Sequence, residues 1–307
     1  MQGNYFNGKE SDCMSLEGFS ACVRLDIQRM FKDAEVTVQK VVKTNDVKLQ
    51  SLVIRELEGS NLSPSIYLEG FYDRYLQGME LEEIEQDILK IYRRNKASQN
   101  LNVEFFEDWD KVKEKIVFKL VNFDMNREYL KDMPYFSYLD LAVTFNCFLE
   151  MGQLGSGSIS IKNSHMEMWH VTKKELWDAA YENTRRILKP VLKSMEEAIH
   201  EALGEPMEGL YANCCMYILS NRCNLNGASS ILYNDVLKAF AERMDTDFYI
   251  LPSSIHEVIL VPLNTGGDVE MYNMMVKSVN AEQVEPEEIL SDHVYLYTRK
   301  TGKIIAM

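Results

Sequence analysis

Residues 248–262 constrain the fold of this chain more than any other segment. Two short apolar β-type runs, Phe248 to Leu251 and Val258 to Val261, flank a polar pair, Ser253 and Ser254. Apolar runs joined by so few residues predict a β hairpin. Pairing through a short turn favours antiparallel sheets, because parallel neighbours need a long crossover connection.

Other β-type runs are joined in the same way. The paired runs are 36–42 with 47–57, 140–150 with 156–162, and 293–298 with 303–306. Further single runs are expected at 116–123 and 214–219. Helical patterns lie between the runs, at 15–31, 69–77, 81–94, 107–114, 172–188, 229–244 and 268–280. The order predicts an α+β fold with antiparallel or mixed sheets, in which β hairpins are flanked by helices.

The helix starts carry specific capping signals. Ser15 is the expected N-cap of a helix whose apolar face comprises Leu16, Phe19, Val23, Ile27 and Met30. Thr172 and Glu175 have the spacing of a capping box, in which each side chain accepts from the other residue's backbone N–H. Asp268 follows Gly266 and Gly267 and is expected to cap the helix that starts there.

The polar stretch 95–102 is the best candidate for a domain boundary in the first half. It separates an N-terminal helix-hairpin-helix α+β region, 1–100, from a larger α+β domain, 101–307. One continuous unit is the alternative.

Charge limits the classes of partner. The chain has 47 acidic and 33 basic residues, and a formal net charge of −14. Such a field repels nucleic acid and anionic lipid. The compact basic cluster Lys90, Arg93, Arg94 and Lys96 lies at a predicted helix C-terminus, where cations are favoured by the helix dipole. Nucleic acid is therefore not an expected partner.

The compartment is inferred from what the sequence lacks. No run approaches the roughly 20 apolar residues that span a bilayer, so no membrane partner is expected. The first 15 residues contain no apolar core of a signal peptide, which predicts a soluble cytoplasmic protein. The six cysteines, at 13, 22, 147, 214, 215 and 223, contain no Cys-x-x-Cys spacing and are expected to be free, mostly buried thiols.

The hairpin at 248–262 also holds the best candidates for chemistry. A hydroxyl, an imidazole and a carboxylate can together activate a nucleophile. On a regular strand Ser254 and His256 would share a face, whereas Glu257 would point to the other. The alternative is a local turn or bulge at Pro252, in which the serine hydroxyls bind nearby backbone. Asp292 and His293 are the candidate distant partners of His256.

Metal and cofactor signals are weak. His165 and His170 do not match a zinc motif and are expected in a half-buried connector, and we expect no metal. Gly266 and Gly267 lack the lysine of a phosphate loop, so no cofactor is expected. Met271, Met274 and Met275 are interpreted as core packing, with an adaptable binding surface as the alternative.

Several segments together resemble a known family. They are Asn61 to Leu68, Phe71 to Tyr75, Lys119 to Asn122, Phe248 to Val258, Glu285 to Glu288 and Ser291 to Tyr295. They look like a clostridial and Firmicute family of proteins of about this length, known only as a domain of unknown function. The resemblance covers nearly the whole chain and implies a bacterial cytoplasmic protein in one piece. It brings no activity, cofactor or catalytic residue.

Three functional hypotheses are consistent with the sequence. The leading one is a non-catalytic or regulatory interaction protein that binds an unknown protein partner or small molecule. The alternative is a hydrolase-like or transferase-like enzyme with acid-base chemistry centred on His256, which would use Glu257, Asp292 or His293, with Ser254 as a further catalytic candidate. A nucleic-acid-associated factor acting through residues 90–96 is disfavoured by the net charge.

Overall fold

The chain divides into two compact units in the computed structural model. The first comprises residues 1–42 and 48–101, and the second comprises residues 43–47 and 102–307. Within them the structure describes residues 14–56, 65–97, 104–150, 156–203 and 215–307.

The first unit begins with helix α1, Leu16–Met30. The predicted N-cap is confirmed, because Ser15 Oγ accepts from Gly18 N at 3.2 Å. Phe19, Val23 and Ile27 are fully buried, as the predicted stripe requires. Met30 is 50% exposed, so the prediction that the stripe extends to Met30 is wrong.

In its described residues, the first unit also contains an antiparallel sheet and two further helices. The elements are β1 (Ala34–Val42), β2 (Lys48–Glu56), β3 (Ser65–Tyr67), α2 (Glu69–Leu76) and α3 (Leu81–Ala97). The sheet has the order β1-β2-β3, which confirms the first predicted hairpin. Ile84, Ile88 and Tyr92 of α3 join the core with α1 and β2, whereas Ile91 is 40% exposed.

Two antiparallel sheets lie in the described residues of the second unit. The first has the order β4-β6-β5, and β7 pairs with the other end of β6. The second has the order β13-β12-β10-β11-β9-β8. The strands are β4 (Ile116–Asn122), β5 (Phe136–Tyr138), β6 (Leu141–Glu150), β7 (Ser156–Ser160), β8 (Pro190–Ser194), β9 (Tyr217–Asn221), β10 (Phe248–Ser254), β11 (Glu257–Pro262), β12 (Tyr295–Thr298) and β13 (Lys303–Ala306).

Helices connect these strands. They are α4 (Trp109–Val112), α5 (Asn163–Trp169), α6 (Lys173–Ile187), α7 (Met195–Leu203), α8 (Asn234–Met244) and α9 (Val269–Glu282). Both predicted caps are confirmed: Thr172 and Glu175 form the capping box of α6, and Asp268 accepts from Met271 N at the start of α9. The helices beside antiparallel sheets make the fold α+β, as predicted.

Aromatic side chains from several elements meet in the core of the second unit. Phe118 and Phe145 belong to the first sheet, and Phe248 and Tyr297 to the second. The rings of Phe248 and Tyr297 stack with centroids 4.8 Å apart. Phe240 of α8 meets Phe248 edge-on at 4.9 Å. Burying aromatic rings from both sheets and from α8 in one cluster holds these elements together.

Several predicted boundaries are wrong in detail. The segment 107–114 contains only the short helix α4 between 3-10 turns, and residues 227–232 form a 3-10 turn before α8. The strand predicted at 214–219 is β9, shifted to Tyr217–Asn221, and Cys214 lies outside the described residues. The predicted connector at His165 is helix α5, which ends at His170 in a left-handed conformation.

The described cysteines are free, but they are not mostly buried as predicted. Cys147 is buried, Cys22 and Cys223 are half-buried, and Cys215 is exposed. Cys13 lies outside the described residues. Among the helices that the structure describes, none has the length and apolar content needed to cross a bilayer.

Candidate functional site

The hairpin at 248–262 forms as predicted, but His256 occupies its turn. β10 and β11 pair antiparallel, and the register shifts between Pro252 and Ser254, which confirms a bulge there. Ser254 Oγ accepts from the backbone N–H of His256 at 3.0 Å. The expectation from strand alternation is therefore wrong, because His256 lies beyond the end of the strand and Ser254 contacts its backbone.

The His256 imidazole is held at both nitrogens. Nδ1 accepts from the backbone N–H of Asn226 at 3.2 Å. This bond assigns the ring proton to Nε2, which lies 3.2 Å from Glu288 Oε1 and donates to it. The side chain is 25% exposed. The ring thus joins the hairpin turn to two distant segments of the second unit.

The backbone of the turn is equally engaged. Ser220 Oγ donates to the carbonyl of His256 at 2.8 Å. A Cβ on Gly227 would lie 2.3 Å from that same carbonyl oxygen, so only glycine fits at this position. Ile255 N–H donates to the carbonyl of Glu288 at 2.8 Å. These contacts make the turn a packed junction.

The other sequence candidates lie elsewhere. Asp292 Oδ1 accepts from Asn280 Nδ2 at 2.8 Å, and His293 N–H donates to Ser291 Oγ. Burial raises the pKa of Glu257, which the nearby His256 and Ser253 partly offset. Among the described residues, the hydrogen-bond partners of the His256 ring are Asn226 and Glu288, so the structure does not unite the four candidates, Ser254, His256, Asp292 and His293.

His165, another histidine of interest in the sequence, has a structural role. His165 Nδ1 accepts from the backbone N–H of Lys162 at 3.1 Å, so the side chain caps α5. Its ring packs against Phe106 and Trp169, and burial lowers its pKa. Within the described part of the chain, no group of three or more His, Cys, Asp or Glu residues is placed to hold a metal ion.

A second polar cluster, missed by sequence reasoning, lies on one face of the β4-β6-β7 sheet. Lys119 pairs across the strands with Thr144, and Asn146 pairs with Ser160. Ser158 accepts from Asn146 Nδ2 at 2.9 Å. Directly opposed residues share a face, so Lys119, Thr144, Asn146, Ser158 and Ser160 form one surface, the polar belt.

Apolar clusters flank the polar belt. Val117 packs with Phe148 and Leu188 on one side, and Val121 packs with Leu130 on the other. The opposite face of the same strands lies in the main core. The polar belt is therefore a polar strip between two apolar clusters.

Lys119 is the charged member of the polar belt. Its side chain is buried, with the residue 9% exposed, and its Nζ donates to Thr44 Oγ1 at 2.7 Å. The ammonium also lies 6.0 Å from the centre of the Tyr129 ring. Burial, reinforced by the charge of Lys43 and opposed by Glu288 and Glu287, lowers the pKa of Lys119 to about 8.

Residues 43–47 lie beside Lys119. Asn45 and Asp46 have left-handed backbone angles. Asn45 N–H donates to Asn126 Oδ1 at 2.6 Å, and Asp46 accepts from the backbone N–H of Tyr129 at 2.8 Å. This network holds Thr44 in position to accept a hydrogen bond from the Lys119 ammonium.

A third polar cluster joins the two sheets of the second unit. Asp140 accepts from Tyr295 Oη at 2.7 Å and from Ser291 Oγ at 2.6 Å. Burial and the neighbouring Asp140 charge raise the pKa of Tyr295, so its hydroxyl stays protonated and keeps donating. The cluster ties the start of β12 to the turn between β5 and β6.

The methionines of α9 do not all pack in the core. Met275 is half-buried against a small apolar cluster, whereas Met271 is 45% exposed and Met274 67% exposed. The core-packing interpretation is wrong for these two residues. They are three positions apart and share one face of the helix, which therefore presents apolar side chains to solvent.

The fold and these clusters define an α+β protein of two compact units, with a polar belt and an exposed methionine face in the second. The model of the family DUF5688, described as a family of unknown function, matches residues 16–299. The chain belongs to this family. No curated protein matches it significantly, and neither does any solved structure.

Proposed function

We propose that this protein is a non-catalytic, regulatory protein of the bacterial cytoplasm that binds a protein partner through the outer face of α9. The observation that carries the proposal is the exposure of Met271 and Met274, at 45% and 67%. Methionine is flexible and polarizable, and it recurs at surfaces that adapt to a partner. An exposed apolar pair on a stable helix suits the docking of a partner's apolar face.

The helix that carries this face is firmly anchored. Tyr272 and Val276 of α9 are buried against Leu251, Val261 and Val294. Asp268 caps its first turn. The exposed methionines therefore stand on a rigid support, which limits the entropy lost when a partner binds.

The engagement of His256 also supports a non-catalytic role. A general base needs a ring nitrogen that can reach a substrate proton. Both nitrogens of His256 are hydrogen-bonded within the protein, to Asn226 and to Glu288. The Ser254 hydroxyl accepts from the backbone of His256 and caps the turn.

A capture experiment tests the proposal. The wild-type protein, the double variant Met271→Gln/Met274→Gln and the control Met168→Gln are immobilised in turn and exposed to a bacterial lysate. Met168 lies on α5 and is 44% exposed, which matches Met271 in type and exposure. We expect a protein that is retained by the wild type and the control and lost from the double variant. Retention of the same proteins by all three would refute the proposal.

A further inference from the structure

The polar belt has hydrogen-bonding capacity that the protein does not fill. A lysine ammonium has three N–H donors. Among the described residues, Thr44 Oγ1 is the hydrogen-bond acceptor of Lys119. Two donors of a buried cation are thus available to another group.

An acceptor on the same sheet face is also unfilled. Asn146 is 3% exposed, and its Nδ2 donates to Ser158. Its Oδ1 is fully buried and has no hydrogen-bond partner. A buried polar atom without a partner costs about 1–3 kcal/mol, which points to a molecule that binds there.

The two unfilled groups are close neighbours. Lys119 pairs with Thr144, and Asn146 lies two positions along the same strand, on the same face. Diagonal neighbours of this kind have backbone positions about 7–8 Å apart. A ligand that fills both groups must therefore bridge two neighbouring side chains of this sheet face.

The unfilled groups define the chemistry of the ligand. The donors of Lys119 match a carboxylate, which the charges of Lys119 and Lys43 favour and those of Glu287 and Glu288 oppose. Asn146 Oδ1 requires a donor. A hydroxyl supplies this donor without placing a second positive charge beside Lys119.

We propose that the polar belt binds a small hydroxycarboxylate, whose carboxylate accepts from Lys119 and whose hydroxyl donates to Asn146 Oδ1. The site is independent of the methionine face of α9. Lys119 remains 9% exposed, so the site is not sealed from solvent.

Calorimetric titration with glycolate and acetate tests the site. The two anions share a carboxylate and differ by one hydroxyl group. The wild type should bind glycolate roughly 2- to 10-fold more tightly than acetate, which is the effect of one neutral hydrogen bond. Asn146→Leu should abolish this difference, and Lys119→Met should weaken both anions by roughly 10-fold or more. The control Lys303→Met, which replaces an exposed strand lysine, should change neither affinity.

Proton uptake gives a second readout that needs only the wild type. Lys119 is faced by Lys43 from the 43–47 segment, by Glu287 and Glu288 from the 286–288 turn, and by the Tyr129 ring. With a pKa of about 8, the free amine is mostly neutral at pH 9 and must take up a proton to bind a carboxylate. Titrations in two buffers of different ionisation enthalpy should show uptake approaching one proton at pH 9 and none at pH 6.5.

Each outcome of these titrations either supports or overturns the proposed site. Absence of glycolate binding to the wild type would mean that the polar belt holds ordered water only, and would overturn the proposal. Binding without proton uptake at pH 9, or with unchanged affinity in Lys119→Met, would place the anion elsewhere. Should Asn146→Leu fail to fold, the uptake measurement alone decides.

Discussion

Removal of the buried charge of Lys119 should change how the stability of the second unit depends on pH. The pKa of Lys119 is lowered from 10.5 to about 8 in the folded protein, chiefly by burial. Between these values the unfolded chain binds more protons at this position than the folded protein does. The free energy of unfolding therefore rises with pH between about 8 and 10.5. It is lowest below pH 8, where the folded protein carries the full desolvation cost of the buried charge.

The magnitude follows from the two pKa values. A difference of one pKa unit corresponds to about 1.4 kcal/mol, so the full penalty at low pH is about 3 kcal/mol. Integration of the linkage relation from pH 7 to pH 9.5 gives a gain of about 2 kcal/mol in the free energy of unfolding. Lys119→Met lacks this titration, and its stability should gain about 2 kcal/mol less over the same range.

Tryptophan fluorescence during urea unfolding is a suitable assay. All three tryptophans of the chain, Trp109, Trp169 and Trp177, belong to the second unit, which also contains Lys119. The comparison uses the change between pH 7 and pH 9.5, so constant effects of the substitution cancel, including loss of the bond to Thr44. The exposed lysine variant Lys303→Met is the control and should follow the wild type. Parallel pH profiles of wild type and Lys119→Met would show that Lys119 does not titrate with a lowered pKa in the folded protein.

Four further predictions concern other parts of the chain. Thr172→Ala should lower the free energy of unfolding by about 1 kcal/mol through loss of the capping box, and an equal stability of variant and wild type in urea unfolding would argue against it. Gly227→Ala should cost about 1–3 kcal/mol or more, because its Cβ would overlap the carbonyl of His256, and an unchanged thermal midpoint would contradict this close packing. Electrophoretic mobility with generic DNA and RNA at low salt should show no shift, because the net charge is −14, and a shift would revive the nucleic-acid hypothesis. Limited proteolysis should cut first within the polar stretch 95–102 and release an N-terminal fragment ending near residue 100, whereas first cuts elsewhere would count against a domain boundary there.

Local patterns predicted much of the fold. The hairpin of β10 and β11, the cap at Ser15 and the capping box at Thr172 all form as expected. Each depends on residues a few positions apart, so the sequence carries the whole signal. The apolar periodicity of α1 continues to Met30, but this residue is 50% exposed. Periodicity does not show how far the packed neighbours of a helix reach.

The contacts that define the candidate sites could not be predicted in this way. Glu288, the partner of His256, is 32 positions away along the chain. Thr44, the acceptor for Lys119, is 75 positions away. Folding creates both pairs, and no local spacing indicates them. The sequence presents Glu288 only within the segment Glu285 to Glu288, where no spacing indicates a chemical role.

One signal for the polar belt was present in the sequence. Lys119 interrupts an otherwise apolar run, Ile116 to Val121. Such a run predicts a strand buried on both faces. A buried charge in such a strand costs free energy unless it has hydrogen-bond or charge partners. The position of Lys119 alone therefore indicates that polar partners surround it. Asn146, in the equally buried β6, carries the same signal.

The most direct test of the account compares the binding of the captured partner by three proteins whose folding is first confirmed by tryptophan fluorescence. They are the wild type, Met271→Gln/Met274→Gln and His256→Gln. Because we propose that the partner binds the exposed face of α9 and that His256 has a structural role, affinity should fall in the methionine variant and stay at the wild-type value in His256→Gln. Loss of affinity in His256→Gln with full affinity in the methionine variant would contradict both assignments.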